Sequence, residues 1–477
     1  MFPETWRRRW GLQEAPFLHD DADRDPLLER VDRWAVHAAF ERLHRGAGLG
    51  PSALVFGLRG SGKSALRRRL GEAMRGPHGP LVVELTELDP WLEQLERTQR
   101  PDSRGPGEVE GLDLLLSATA RVLTEQLAAA PARLRSLPRR TRVQLLGLLA
   151  LYTPDLEGQR ARQLERLLHP RRERIARAGA ASLAGIAALS PLAALEGLVP
   201  SSALLPALSA MGGSVLTGLA LLPPLLRRAL RGRARRLASE VGVVSADVSR
   251  LAVALARLLP SRRFDRAADP LERRLERVRL VIAALRGLGW SGLQVLVDRV
   301  DESRALDGDP LRMRALLEPL VTGRLSAQEG ISVQAFLPLE LRPMARPRAG
   351  RGLLHSSFEK RGCVEELRWS GQQLLELADR RLSAAARGPA PKATDLLGPA
   401  IHPAELRDTL DVLGTPRLAF GFLGELFEVH LRELPTELET SSPRWGVPRS
   451  TFETCRAAWS DRAASLRRGR VLERTPS

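Results

Sequence analysis

The residues best placed to do chemistry are Gly57-Leu58-Arg59-Gly60-Ser61-Gly62-Lys63-Ser64. They satisfy the pattern G-x-x-x-x-G-K-[ST], in which glycines let the backbone turn tightly and aim its N–H groups at an anion. Gly57, Gly60, Ser61 and Gly62 would form the cradle. Lys63 would reach the β- and γ-phosphates of a nucleotide, and the Ser64 hydroxyl would ligate Mg²⁺. Of 73 basic residues only Lys63, Lys360 and Lys392 are lysine. A chain that writes arginine nearly everywhere keeps lysine here, and a compact ammonium fits between two phosphates as a point charge where a planar guanidinium does not. The plain alternative is a glycine-rich turn between strand and helix with no ligand.

A second group follows the apolar run Leu293-Gln294-Val295-Leu296-Val297, which delivers Asp298-Arg299-Val300-Asp301-Glu302. The carboxyl end of a strand is where a parallel sheet presents ligands. Asp298 is the candidate for the Mg²⁺ shell, and Asp301 or Glu302 the candidate to orient or deprotonate an attacking water. A third candidate is Arg417 in Gly414-Thr415-Pro416-Arg417, at the start of an apolar helix. It either faces back toward the nucleotide or is a surface residue of the helix cap.

The elements that must position these groups alternate between strands and helices. Ser52 to Phe56 reads as a strand leading into the glycine loop, and the loop leads into a helix, the order a phosphate-binding loop requires. Further strands are expected at 81–85, 331–337 and 362–367, and helices at 27–43, 112–129, 271–288 and 372–382. On the 271–288 helix Leu271, Leu275, Val278, Ile282 and Leu285 share one side. The fold class is α/β, a parallel sheet with a long helical insertion and a helical C-terminal part. Five segments follow: 1–46 at the N-terminus, 47–130 and 261–386 as two halves of the core, 131–260 as the insertion, and 387–477 as a helical lid. Leu12 and Phe17 in the first segment are either ordinary core residues or a cover for the nucleotide base.

Within the insertion, 178–195 and 197–226 contain no charged residue, and only Glu196 separates them. Arg171, Arg172, Arg174 and Arg177 precede the block, and Arg227, Arg228, Arg231, Arg233, Arg235 and Arg236 follow it. That distribution favours a two-helix membrane hairpin with both ends on the cytoplasmic side. The competing reading is a hairpin buried inside a helical insert, since Pro191, Pro206, Pro223 and Pro224 would kink either span.

The net charge of +17 and pI near 11.2 invite a nucleic-acid partner. The arginines are spread over many helices, however, and aromatics are only 4%, so stacking platforms are scarce and that partner is not favoured. Cys363 and Cys455 match no metal spacing and suggest a reducing compartment. The opening residues lack the apolar core of a secretory signal.

Together, the strand-loop-helix at 55–66, the acidic strand end at 298–302 and Gly-Thr-Pro-Arg at 414–417 resemble the additional-strand P-loop ATPases, the grouping of AAA+, STAND and KAP proteins. The resemblance covers most of 47–130 and 265–435, and KAP-type NTPases are similar in carrying membrane helices between the two Walker motifs. It implies a P-loop NTPase fold with the phosphate-loop strand near mid-sheet, and ATP hydrolysis coupled to conformational change or assembly. It makes Asp298 the Walker B carboxylate and Arg417 a second sensor. The chain departs from the KAP acidic motif, for Asp298-Arg299-Val300-Asp301-Glu302 is closer to the STAND and origin-recognition form, and the strand 331–337 ends in Leu-Pro where a polar first sensor is expected. The expectation is an ATP- and Mg²⁺-dependent switch of signalling or defence, at the cytoplasmic face of the inner membrane or in the cytoplasm, forming an oligomer or binding a protein partner. The alternatives are a soluble nucleic-acid-associated ATPase and a nucleotide-dependent scaffold without turnover.

Overall fold

The computed structural model describes residues 4–17, 25, 27, 37–44, 48–98, 108–152, 270–321, 325, 328–345, 363–364, 366–435, 439 and 442–472. The apolar hairpin 178–226 lies outside them, as do the rest of 153–269 and much of the expected 27–43 helix. Among the described residues no helix is long and apolar enough to cross a membrane.

Five strands form one sheet among the described residues: β1 (Ala53–Gly57), β2 (Leu81–Leu85), β3 (Leu293–Val297), β4 (Ile331–Pro338) and β5 (Cys363–Val364). Their spatial order is β2-β3-β4-β1-β5, so β4 stands between β3 and β1. β1 pairs in parallel with β4, Ala53 opposite Gln334 through Gly57 opposite Pro338, and in parallel with β5 on its other side. Every residue of β1, β3 and β4 is buried, which is why they read as continuous apolar runs without alternation. Three polar residues interrupt these runs: the Ser332 hydroxyl is buried with no hydrogen-bond partner among the described residues, while both glutamines are bonded. Gln294 accepts from the Gly50 N–H, and Gln334 donates to the Leu43 and Pro51 carbonyls. These contacts fix the entry into β1.

The helices used below are α1 (Lys63–Met74), α2 (Glu108–Ala129), α3 (Arg139–Tyr152), α4 (Pro270–Gly287), α5 (Gly371–Ala385), α6 (Pro403–Leu413), α7 (Pro416–Glu433) and α8 (Arg449–Leu472). The chain divides into two compact units: residues 1–87, 294–314 and 331–477, and residues 88–293 and 315–330. The expected segment 261–386 is therefore shared between them, with α4 in the second unit.

In the first unit, the inner ends of α1 and the strands pack around Leu70, Met74, Val55, Phe336 and Leu296. A larger cluster joins α5 to α8. A capping box of Ser370 and Gln373 starts α5, and the Thr415 hydroxyl caps α7 ahead of Pro416. Trp6, Leu12 and Phe17 belong to this cluster. Phe17 lies 5.7 Å from the Phe420 ring and 6.0 Å from Phe427, and Leu12 bridges to Ala386. Of the two readings of Leu12 and Phe17, the core contact is the one observed. Arg381 of α5 completes the clasp, donating to the Pro16 carbonyl, pairing with buried Asp25 and lying over the Phe420 ring.

In the second unit, α2, α3 and α4 bury a polar knot. The Arg274 guanidinium makes a fork with Asp113, Nη2 to Oδ2 3.0 Å, while the Tyr152 hydroxyl donates to Asp113 and accepts from Arg277. Burial, and next the Asp113 charge, push the Tyr152 pKa well above the ordinary phenol range, so it stays a neutral donor.

Candidate functional site

The glycine loop connects β1 to α1, and its conformation accounts for its composition. Gly60 (φ +79°) and Gly62 (φ +89°) occupy the left-handed region. A Cβ on Gly57 would stand 2.4 Å from Ser61 Oγ, so the loop closes on itself without room for a side chain there. Gly62 is also the N-cap of α1 and offers no side-chain acceptor to the N–H groups of its first turn. Ser61 is wholly buried, and its Oγ has no hydrogen-bond partner among the described residues. The Lys63 ammonium is buried against the loop, 2.9 Å from Gly57 O and 3.1 Å from Leu58 O. A positive charge, uncapped helical N–H groups and an orphaned hydroxyl thus meet in one place, which is a set of donors suited to an anion.

Asp298 follows β3 directly. Its N–H donates to the Leu85 carbonyl at the end of β2. Only 1% of Asp298 is exposed. Burial holds its pKa above the ordinary carboxylate range, opposed first by a hydrogen bond from the Ser64 side chain, then by the charge of Arg67, the Arg299 backbone N–H and Lys63. Sequence-distant Ser64 and Asp298 are therefore in contact, the pairing of hydroxyl and carboxylate that a hard divalent cation favours. Among the described residues there is no cluster of three or more His, Cys, Asp or Glu side chains. One hydroxyl and one carboxylate fit Mg²⁺, which usually keeps several waters and takes phosphate oxygens from its substrate.

Beyond Asp298, Arg299 adopts φ +60°, a left-handed conformation uncommon for a side chain other than glycine, asparagine or aspartate. It turns the chain into the short helical turn Val300–Glu302. Asp301 is half-buried, and Glu302 is exposed, with Oε2 3.7 Å from Arg299 Nε. β4 ends in the apolar pair Leu337-Pro338, so its carboxyl end presents no polar side chain.

Arg417 is half-buried at the start of α7, and its backbone N–H donates to Gly60 O, 3.2 Å away. A Cβ on Gly60 would lie 2.4 Å from Arg417 Cβ, so the helix seats on the loop at this glycine. The contact is made by the Arg417 backbone and the stem of its side chain, so it does not choose between the two readings of the guanidinium.

Two residues of the site escape a sequence reading. Arg67, one helical turn after Lys63, sends Nε to Asp298 Oδ2 at 3.2 Å and Nη1 to Glu84 of β2, bridging two neighbouring strands. The i+4 spacing from Lys63 puts it on the same helix face, but inside the run Arg67-Arg68-Arg69 nothing marks it out. Trp369, just before α5, donates its indole N–H to Ser61 O at 2.8 Å. Nothing in its local sequence signals that contact. Set beside known family models, curated proteins and solved structures, the chain matches none.

Proposed function

We propose that the chain is a Mg²⁺-dependent ATPase of the additional-strand P-loop type, a molecular switch that binds and hydrolyses ATP. The observation that carries the reading is the contact of Ser64 with Asp298 beside a glycine loop that holds the buried Lys63. Supporting it, β4 is an additional strand between the glycine-loop strand β1 and the acidic strand β3.

On this reading the loop 57–62 and the first turn of α1 hold the phosphates through backbone N–H groups, and Lys63 adds the positive charge at their far end. Ser64 and Asp298 would hold Mg²⁺, which when bound neutralises charge developing on the phosphate oxygens. Asp301 or Glu302 orients the attacking water and accepts its proton. The seat of α7 on Gly60 brings Arg417 to the loop, so that binding there is felt by the C-terminal helices. Membrane attachment through 178–226 is part of the proposal and rests on the uncharged runs of that block and their arginine flanks. Carbonate extraction of membranes tests it, since release of the protein into the soluble fraction rules out a spanning hairpin.

The central test is titration of ATP with Mg²⁺ into the purified chain, with phosphate release measured in parallel. Lys63→Ala is expected to lose binding, and Glu302→Gln to keep binding and lose turnover. Undiminished binding by Lys63→Ala overturns the assignment.

A further inference from the structure

We infer that Trp369 is a positioning residue for phosphate binding: its indole N–H holds the Ser61 carbonyl on one face of the glycine loop and thereby turns the Gly62 N–H to the opposite face, the one that receives the anion. The inference rests on the nucleotide reading of the loop and assigns a part of it to a residue outside every phosphate-binding motif.

The geometry is that of a single peptide unit. A trans peptide is planar, and its C=O and N–H point in opposite directions. No cis peptide occurs among the described residues. Trp369 Nε1 donates to Ser61 O at 2.8 Å, and its ring edge lies against the next residue, with Cζ2 3.6 Å and Nε1 3.8 Å from where a Gly62 Cβ would stand. The direction of the carbonyl is set by the indole, and that of the Gly62 N–H follows. Gly62 supplies the left-handed φ that this orientation needs.

Trp369 can act in this way because it is itself fixed. It is 7% exposed, and its backbone N–H donates to Gly414 O. The preceding Leu367 donates to Phe56 O of β1 at 2.6 Å. His37 meets the indole edge-on at 5.1 Å between ring centres, and its Nε2 bonds to Arg368 O. Burial lowers the His37 pKa, so the ring is held neutral against the indole. With Arg417 N–H on Gly60 O, two successive carbonyls of the loop are held from outside it, by Arg417 and by Trp369, while the Ser61 N–H donates within the loop to Leu58 O. An anion site whose N–H groups are already aimed avoids the cost of ordering them on binding.

The test compares Trp369→Phe, which keeps an aromatic ring and removes the donor, with the parent. Affinities for pyrophosphate with Mg²⁺ are measured by titration, and those for adenosine by competition against a fluorescent ATP analogue. Loss of one neutral hydrogen bond predicts pyrophosphate binding weakened about five-fold, with adenosine affinity unchanged. Equal pyrophosphate affinity in Trp369→Phe and parent overturns the inference, and so does an equal loss for both ligands, which marks Trp369 as general scaffolding. Lys63→Ala separates the two levels: if it too binds pyrophosphate like the parent, the nucleotide reading itself has failed. Should Trp369→Phe not fold, the parent decides by ¹⁵N NMR. One of its eight tryptophan indole signals must move when pyrophosphate with Mg²⁺ binds, and binding heat with no such movement overturns the inference.

Discussion

Arg67 and Asp298 are 231 residues apart in the chain and form a buried ion pair, Nε to Oδ2 3.2 Å, with side chains 5% and 2% exposed. The same guanidinium reaches Glu84, which Arg75 also engages. One arginine of α1 therefore ties the ends of β2 and β3 to the helix that begins with Lys63.

Truncating that arginine strands a buried carboxylate. Arg67→Ala is expected to cost about 3 kcal/mol of stability, the range seen when one partner of a buried pair is removed. A urea titration reads it as a lowered midpoint at unchanged slope. A midpoint equal to the parent's would mean that Asp298 finds another partner or is held neutral.

The two left-handed glycines of the loop separate strain from contact. Alanine at either position costs about 1–2 kcal/mol for its backbone conformation alone. At Gly62 the nearest atom to the new Cβ is 3.6 Å away, ordinary packing, whereas at Gly60 it is Arg417 Cβ at 2.4 Å. Gly60→Ala must push α7 off the loop, so it is expected to be less stable than Gly62→Ala by at least about 1 kcal/mol in urea unfolding. Equal midpoints would show that the seat of α7 on the loop carries no energy.

A pH dependence follows from His430 on α7. The ring is 3% exposed, bonded through Nε2 to Trp445 O at 3.3 Å, and burial lowers its pKa against the opposing pull of Trp445 O, Glu433 and the Arg444 backbone. A histidine whose folded pKa lies below the ordinary 6.5 binds fewer protons folded than unfolded in that window. Stability therefore falls as pH drops from about 6.5 toward the folded value. His430→Gln is expected to lose less stability than the parent between pH 7.5 and 5.5. His37, shifted in the same direction, leaves part of the slope in place.

The parts of the site that lie in one local stretch were legible, and the parts that join distant stretches were not. The strand-loop-helix around Lys63 and the placement of Asp298 immediately after a buried strand follow from glycine spacing and an unbroken apolar run, and β1 and β3 match the expected strands within a residue. The 271–288 helix is present as Pro270–Gly287, with Leu275, Val278, Ile282 and Leu285 buried while Leu271 is only half-buried. The order of the strands was not readable from pattern, because β4 reaches its place beside β1 through contacts across hundreds of residues. Arg67 was hidden by the abundance of arginine around it, and Trp369 by the absence of any rule linking an indole to a loop 308 residues earlier.

The clasp of Trp6, Leu12 and Phe17 on α5 and α7 has a consequence during synthesis. Pro16 is made 365 residues before the Arg381 that donates to its carbonyl. At bacterial or eukaryotic elongation rates of about 5–20 residues per second, that is a wait of roughly 20 to 70 seconds. For that time three large apolar side chains leave the ribosome with no native surface to cover them, and the emerging chain depends on chaperones or on temporary contacts of its own until its last quarter arrives.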